Sequence, residues 1–258
     1  MYQQLQLCLL QSDLFWHDPL ANRHALEDLM DKAQGTVDIF VLPETFSTGF
    51  TMTPNEVAET PDGPTVQWML TQAQQRHAAI CGSLAIREGD HFYNRFYFAH
   101  PDGQLDTYDK YHPYTPSGEA RVYTKGTKIK TIAYRTWRIR PIICYDLRFP
   151  VFARNTDQYD LLLCVANWPK PRIQAWNALL RARAIENMAF SVGVNRTGKD
   201  AYRIQYPGAS AAYDMLGNEL LNMNPDADLG QVVLDKELLY STREKLPFLD
   251  DRDAFILD

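Results

Sequence analysis

Apolar positions recur along the chain at two different periods, and the switches between them mark its elements. In MYQQLQLCLLQ, Leu5, Leu7 and Leu9 alternate with polar neighbours, the two-residue repeat of a strand with one buried face. DPLANRHALEDLMDKAQG changes to helical spacing: Leu26, Leu29, Met30 and Ala33 share a face, Asp18 is placed to cap the start, Pro19 suits the first turn, and Gly35 marks the stop. VDIFVLPE is then a short buried strand ending at Glu44. A second helix follows in TVQWMLTQAQQRHA, with Val66, Met69, Leu70 and Ala73 on one side, and AAICGSLAI is the next strand.

HFYNRFYFAH, PDG and QLDTYDK predict a hairpin with Asp102 and Gly103 in its turn. IKTIAYR and WRIRPIICY are two more strands, DLLLCVAN another, and RIQAWNALLRARAIENMAF a helix running into the strand AFSVGVN. GASAAYDMLGNEL and LGQVVLD close the chain as further strands. The order is mostly strand then helix, with hairpins inserted. It predicts one α/β domain over residues 1–258 with helices outside two sheets, whereas a single doubly wound sheet explains the hairpins less well.

Composition narrows the function. With 45% hydrophobic and 22% charged residues the chain can form a sizeable core, and its net charge of −6, without blocks of like charge, argues against nucleic acid as main partner. No apolar run approaches the roughly 20 residues that span a bilayer, and no basic region precedes an apolar stretch at the N-terminus. The four cysteines show no CxxC spacing, which fits a reducing cytoplasm better than a disulfide scaffold. The six histidines form no HxH or HxxxH pair, so neither a metal site nor a cofactor is expected.

Three polar residues stand where strands end: Glu44 after VDIFVLP, Lys110 after QLDTYD, and Cys144 after RPII. Singly, each has a plain structural explanation as a loop acid, a surface cation or a core thiol. Together they make a chemistry. A thiol near its usual pKa is mostly protonated at neutral pH, so a cysteine nucleophile needs a base or a nearby cation. Glu44 can accept the proton, while Lys110 and the backbone N–H of Tyr145 can hold the oxyanion that forms when sulfur attacks a carbonyl.

PE-T-F at 43–46, DK-Y-H at 109–112 and CYDLRFP at 144–150, in that order, resemble the nitrilase superfamily of carbon-nitrogen hydrolases. With VANWPKPR at 165–172 and LLRARAIEN at 179–187, the chain is similar to the omega-amidase branch over nearly its whole length. The resemblance implies a four-layer α-β-β-α sandwich assembled as a homodimer or larger homo-oligomer. It also implies Glu44 as general base, Lys110 as catalytic lysine, Cys144 as nucleophile, and Glu119 as a further glutamate of the site. The implied substrates are 2-oxo acids with a terminal amide, 2-oxoglutaramate or 2-oxosuccinamate. Pro113 departs from the apolar residue common at its position.

Other residues have competing roles. Arg148 either binds a substrate carboxylate or pairs with an acid to hold the nucleophile turn. Trp168 and Phe50 could wall the pocket, or Trp168 could anchor the core. Arg172 could serve an anion, and His112 could orient the lysine loop. The rival functions are another amidase or a carbamoyl hydrolase of the superfamily, a non-catalytic binding protein, and a thiol redox sensor, which would need a resolving cysteine beside Cys144.

Overall fold

The computed structural model describes residues 3–256. Its first half runs β1 (Gln4–Leu10), α1 (Pro19–Met30), β2 (Ile39–Val41), α2 (Pro64–Arg76), β3 (Ala79–Glu88), β4 (His91–Ala99), β5 (Leu105–Asp109) and the single turn α3 (Glu119–Val122). The second half runs β6 (Ile132–Tyr134), β7 (Trp137–Ile143), α4 (Pro150–Ala153), β8 (Leu161–Ala166), α5 (Ile173–Asn187) and β9 (Phe190–Asn195). After these come β10 (Thr197–Lys199), β11 (Gln205–Pro207), β12 (Ala211–Tyr213), β13 (Glu219–Asn222), β14 (Leu229–Asp235) and α6 (Lys236–Lys245).

Two six-stranded sheets result, in the orders β14-β1-β2-β3-β4-β5 and β13-β12-β9-β8-β7-β6. Each is parallel at its centre, β1-β2-β3 in one and β7-β8-β9 in the other, with antiparallel strands at the edges. One continuous core joins Leu5, Leu7, Leu9, Ile39 and Val41 of the first sheet to Ile139, Ile143 and Leu163 of the second. A separate core seals α1 and α2 onto the outer face of the first sheet, through Leu26, Met30, Val66 and Met69 against Cys8, Phe40 and Ile80. On the second sheet α5 packs Trp176, Leu180 and Ala184. The layers are therefore helix, sheet, sheet, helix, the α/β sandwich expected. Among the described residues no helix is long and apolar enough to cross a membrane.

Several boundaries differ from the sequence pattern, each because tertiary bonds override local preference. The first strand is half-exposed only at Gln4 and Gln6; Cys8 and Leu10 are buried beneath the helices. The first helix stops at Met30 rather than Gly35, because the edge strand captures Gln34: its N–H donates to Gln231 Oε1 at 2.9 Å and its carbonyl accepts from Gln231 Nε2 at 2.7 Å. Of residues 129–135 only Ile132–Tyr134 pairs as strand, Lys130 being drawn instead to Asp106 at 2.7 Å. Residues 208–220 split into two strands around a turn in which Asp214 accepts from the N–H of Leu216 and of Asn218, both at 2.9 Å. The β4-β5 hairpin forms as expected, with Gly103 at φ 89° in its turn.

This architecture brings four strand ends from both sheets to one place. Glu44 follows β2, Lys110 follows β5, Cys144 follows β7 and Asn167 follows β8.

Candidate active site

Cys144 stands where β7 gives way to one turn of 3₁₀-helix, Cys144–Arg148. Its φ of 46° is left-handed, a conformation that costs a residue with a Cβ about 1–2 kcal/mol and is held only by surrounding bonds. Asp146 provides one of them, accepting the Ile143 N–H at 3.0 Å. The Tyr145 N–H lies in the first turn, where amides have no intrahelical acceptor.

Lys110 is no surface charge. It is 2% exposed, and its Nζ donates to Glu44 Oε1 at 2.8 Å and to Glu119 Oε1 and Oε2 at 3.0 and 2.9 Å. Asn94 Nδ2 spans the same two carboxylates, at 2.8 Å to Glu44 and 3.2 Å to Glu119. The Tyr114 N–H closes on the second oxygen of Glu119. Burial alone would lower the lysine pKa, but Glu119 and Glu44 outweigh it and hold it well above the usual value, so Lys110 stays charged. Burial raises the Glu119 carboxyl, opposed by Lys110 and reinforced by Glu44.

The other oxygen of Glu44 is fixed from the second sheet. The Asn167 N–H donates to Oε2 at 2.8 Å, and Asn167 Nδ2 reaches the Glu44 carbonyl at 2.8 Å and Oε2 at 3.3 Å. Burial pushes the Cys144 thiol well above its usual range; Glu44 adds to the rise, and Lys110 and the Asn167 N–H oppose it without prevailing. A preformed thiolate is therefore disfavoured. The arrangement can instead remove the thiol proton as sulfur attacks, with Glu44 as acceptor and a permanently charged Lys110 beside the reacting centre.

A cavity of about 520 Å³ opens on these groups. Glu44, Phe50, Lys110, Cys144, Tyr145, Arg148, Trp168 and Arg172 border it; Glu119 lies fully buried against Lys110, and His112 lies outside it. The Lys110 ammonium sits 5.1 Å from the Phe50 ring, and the Arg148 guanidinium 4.9 Å over Trp168. Arg172 lies 5.2 Å over Tyr114. Among the described residues no carboxylate pairs with Arg148, and the turn is held by Asp146, which accepts the Ile143 N–H. Cys164 is buried beside Cys144, its own thiol pushed up by burial, a poor setting for a resolving thiolate.

Comparison with known proteins bears on this geometry. The carbon-nitrogen hydrolase profile matches residues 4–244. The omega-amidase YafV of Yersinia enterocolitica is 42% identical over 258 residues, covering 98% of each chain. The chain belongs to the carbon-nitrogen hydrolase family. The 2-oxoglutaramate amidase of Bacillus subtilis is 30% identical over 247 residues, 94% of this chain and 95% of that one. A crystal structure of a family protein from Xanthomonas campestris, with an arsenic adduct in its active site, superposes at a TM-score of 0.96 with 40% identity, covering 99% of both chains.

Four residues of this carbon-nitrogen hydrolase escaped sequence reasoning: Asn94, Tyr114, Asp146 and Asn167. Asn94 left a signal, being polar at a position in register with Phe96 and Phe98 on the buried face of its strand. Asn167 and Asp146 had weaker ones, since each is a hydrogen-bonding residue at or just after the end of an apolar strand. Tyr114 acts through its backbone and left none.

Proposed function

We propose that the protein is an omega-amidase that hydrolyses the terminal amide of a 2-oxo acid, 2-oxoglutaramate or 2-oxosuccinamate, to the 2-oxo dicarboxylate and ammonia. The observation that carries the chemistry is Cys144 on a left-handed turn beside a buried Lys110 that bridges Glu44 and Glu119. The substrate class is supported by the similarity to omega-amidase and 2-oxoglutaramate amidase. It is also supported by Arg148, a cation bordering the cavity without an acidic partner among the described residues; such a group suits a carboxylate bidentately.

In this reading the Cys144 sulfur attacks the amide carbon as its proton passes to Glu44. Lys110 and the Tyr145 N–H take the oxyanion. Collapse breaks the C–N bond, Glu44 returns the proton to the leaving nitrogen, and ammonia departs. Water, deprotonated by Glu44, then adds to the thioester; the C–S bond breaks, the proton returns to sulfur, and the acid is released. Glu119, bonded through both oxygens to Lys110, positions that lysine. The cytoplasmic setting suits four free thiols, and a homodimer or larger assembly suits the apolar Val151 and Ile185 left exposed on the outside.

Ammonia release from a panel of amides tests the proposal. The 2-oxo acid monoamides should give the highest kcat/KM. A clear preference for an N-carbamoyl compound or a simple uncharged amide would overturn the substrate class.

A further inference from the structure

The catalytic groups proposed above come from different sheets, and one buried carboxylate touches the chain on both sides. Asp146 is fully buried two residues after Cys144. Its Oδ2 accepts the Ile143 N–H at 3.0 Å and the Tyr108 hydroxyl at 2.7 Å. Its Oδ1 accepts the His112 N–H at 2.9 Å and lies 2.8 Å from His112 Nδ1. Ile143 immediately precedes the nucleophile on the second sheet. Tyr108 and His112 bracket Lys110 two residues to either side at the end of β5, in the first sheet. Two further contacts brace the assembly: the Tyr108 hydroxyl accepts the Tyr111 N–H at 3.1 Å, and the His112 ring stacks on Phe149 with centroids 3.7 Å apart.

We propose that Asp146 is a positioning residue that ties the nucleophile turn to the lysine strand, and so fixes Cys144 and Lys110 relative to each other across the two sheets. A carboxylate serving only to cap the turn would need the Ile143 N–H alone. The remaining donors all come from the segment that carries Lys110. The tie also opposes the relaxation of Cys144 out of its left-handed conformation, and a misplacement of about 1 Å in such a site costs on the order of 10²-fold in rate. This inference rests on the roles proposed for Cys144 and Lys110.

The test uses Tyr108→Phe, which deletes one donor and keeps the ring, and Asp146→Asn, which keeps the size but turns an N–H₂ toward two donors. Steady-state kinetics, thermal unfolding and the pH dependence of Cys144 alkylation are measured together. Tyr108→Phe should lower kcat about tenfold and Asp146→Asn about 10²-fold, with KM little changed. The groups facing the thiol are Glu44 at the end of β2, Lys110 beyond β5, Cys164 on β8 and the Asn167 N–H just after β8, while Asp146 lies two residues on, in the same turn. Loss of the tie lets Lys110 drift, so the alkylation profile should move to higher pH in both variants. Mere removal of the Asp146 charge would move it to lower pH, as loss of a neighbouring anion favours the thiolate.

Folded variants with normal kcat, or a profile displaced downward, would overturn the inference. Should Asp146→Asn fail to fold, Tyr108→Phe decides alone. Cys144→Ala separates the levels: if it is inactive while both tie variants turn over normally, only this inference falls, whereas an active Cys144→Ala defeats the proposed mechanism and the inference with it.

Discussion

Replacing Lys110 by methionine should damage stability and turnover separately, and pH distinguishes the two effects. The substitution removes a cation held at 2.8 to 3.0 Å from two carboxylates, leaving Glu44 and Glu119 facing each other across Asn94 Nδ2. Breaking a buried ion pair by deleting one partner costs about 3–5 kcal/mol, which in a chain of this size lowers the unfolding midpoint by roughly 6–20 °C. The penalty depends on protonation. Glu119 is already held above the usual carboxyl range by burial, and Lys110 is what opposes the rise. Without it the folded-state pKa climbs further, so over the window from about 4.3, the unfolded value, up to the folded pKa the folded protein binds more protons and stability falls as pH rises. Lys110→Met should therefore be closer to wild type at about pH 5 than at about pH 8. Turnover should fall by about 10² to 10³ from loss of the oxyanion donor. Adding Glu119→Gln should restore much of the stability and none of the rate. Differential scanning fluorimetry at the two pH values, with ammonia release, reads all of this. A Lys110→Met protein with an unchanged midpoint and near-normal turnover would refute the reasoning.

Three further outcomes are expected. Glu44→Gln should slow acylation and deacylation by on the order of 10²-fold or more, read from burst and steady-state kinetics; unchanged rates in both phases would remove Glu44 as the base. Arg148→Gln should raise KM for 2-oxoglutaramate by about 10- to 100-fold, the loss of a charge-assisted contact of about 1.5–3 kcal/mol, and the penalty should vanish for an amide lacking a carboxylate. Gly126→Ala should destabilise the fold by about 1–3 kcal/mol in denaturant titration, since its Cβ would stand 2.1 Å from the Asp109 carbonyl oxygen, next to Lys110.

What the chain revealed before its structure follows from which forces act locally. Strand ends carrying Glu44 and Cys144 were readable because apolar runs stop abruptly beside polar residues, and the Asp102-Gly103 turn because its chemistry is local. The burial of Lys110 was not, since Asp-Lys after an alternating strand is also the pattern of an exposed edge; what surrounds it comes from distant segments, Glu44 and Phe50 after β2 and Glu119 on α3. Glu119 stood out by resemblance alone, its helix being one turn long. Asp146 takes four contacts from two sheets, a convergence no spacing within CYDLRFP encodes. The raised thiol was likewise hidden, because it depends on the apolar surroundings that the fold packs around Cys144 and on a carboxylate a hundred residues earlier in sequence.

The central claim is that Cys144 carries the acyl group, and intact-protein mass spectrometry of acid-quenched reactions tests it most directly. With 2-oxoglutaramate, Glu44→Gln should accumulate a species heavier by the acyl group and labile to hydroxylamine, mapping to the peptide that contains Cys144, while Cys144→Ala should remain folded, release no ammonia and show no such species. Ammonia release by folded Cys144→Ala, or an adduct on any other residue, would contradict the account.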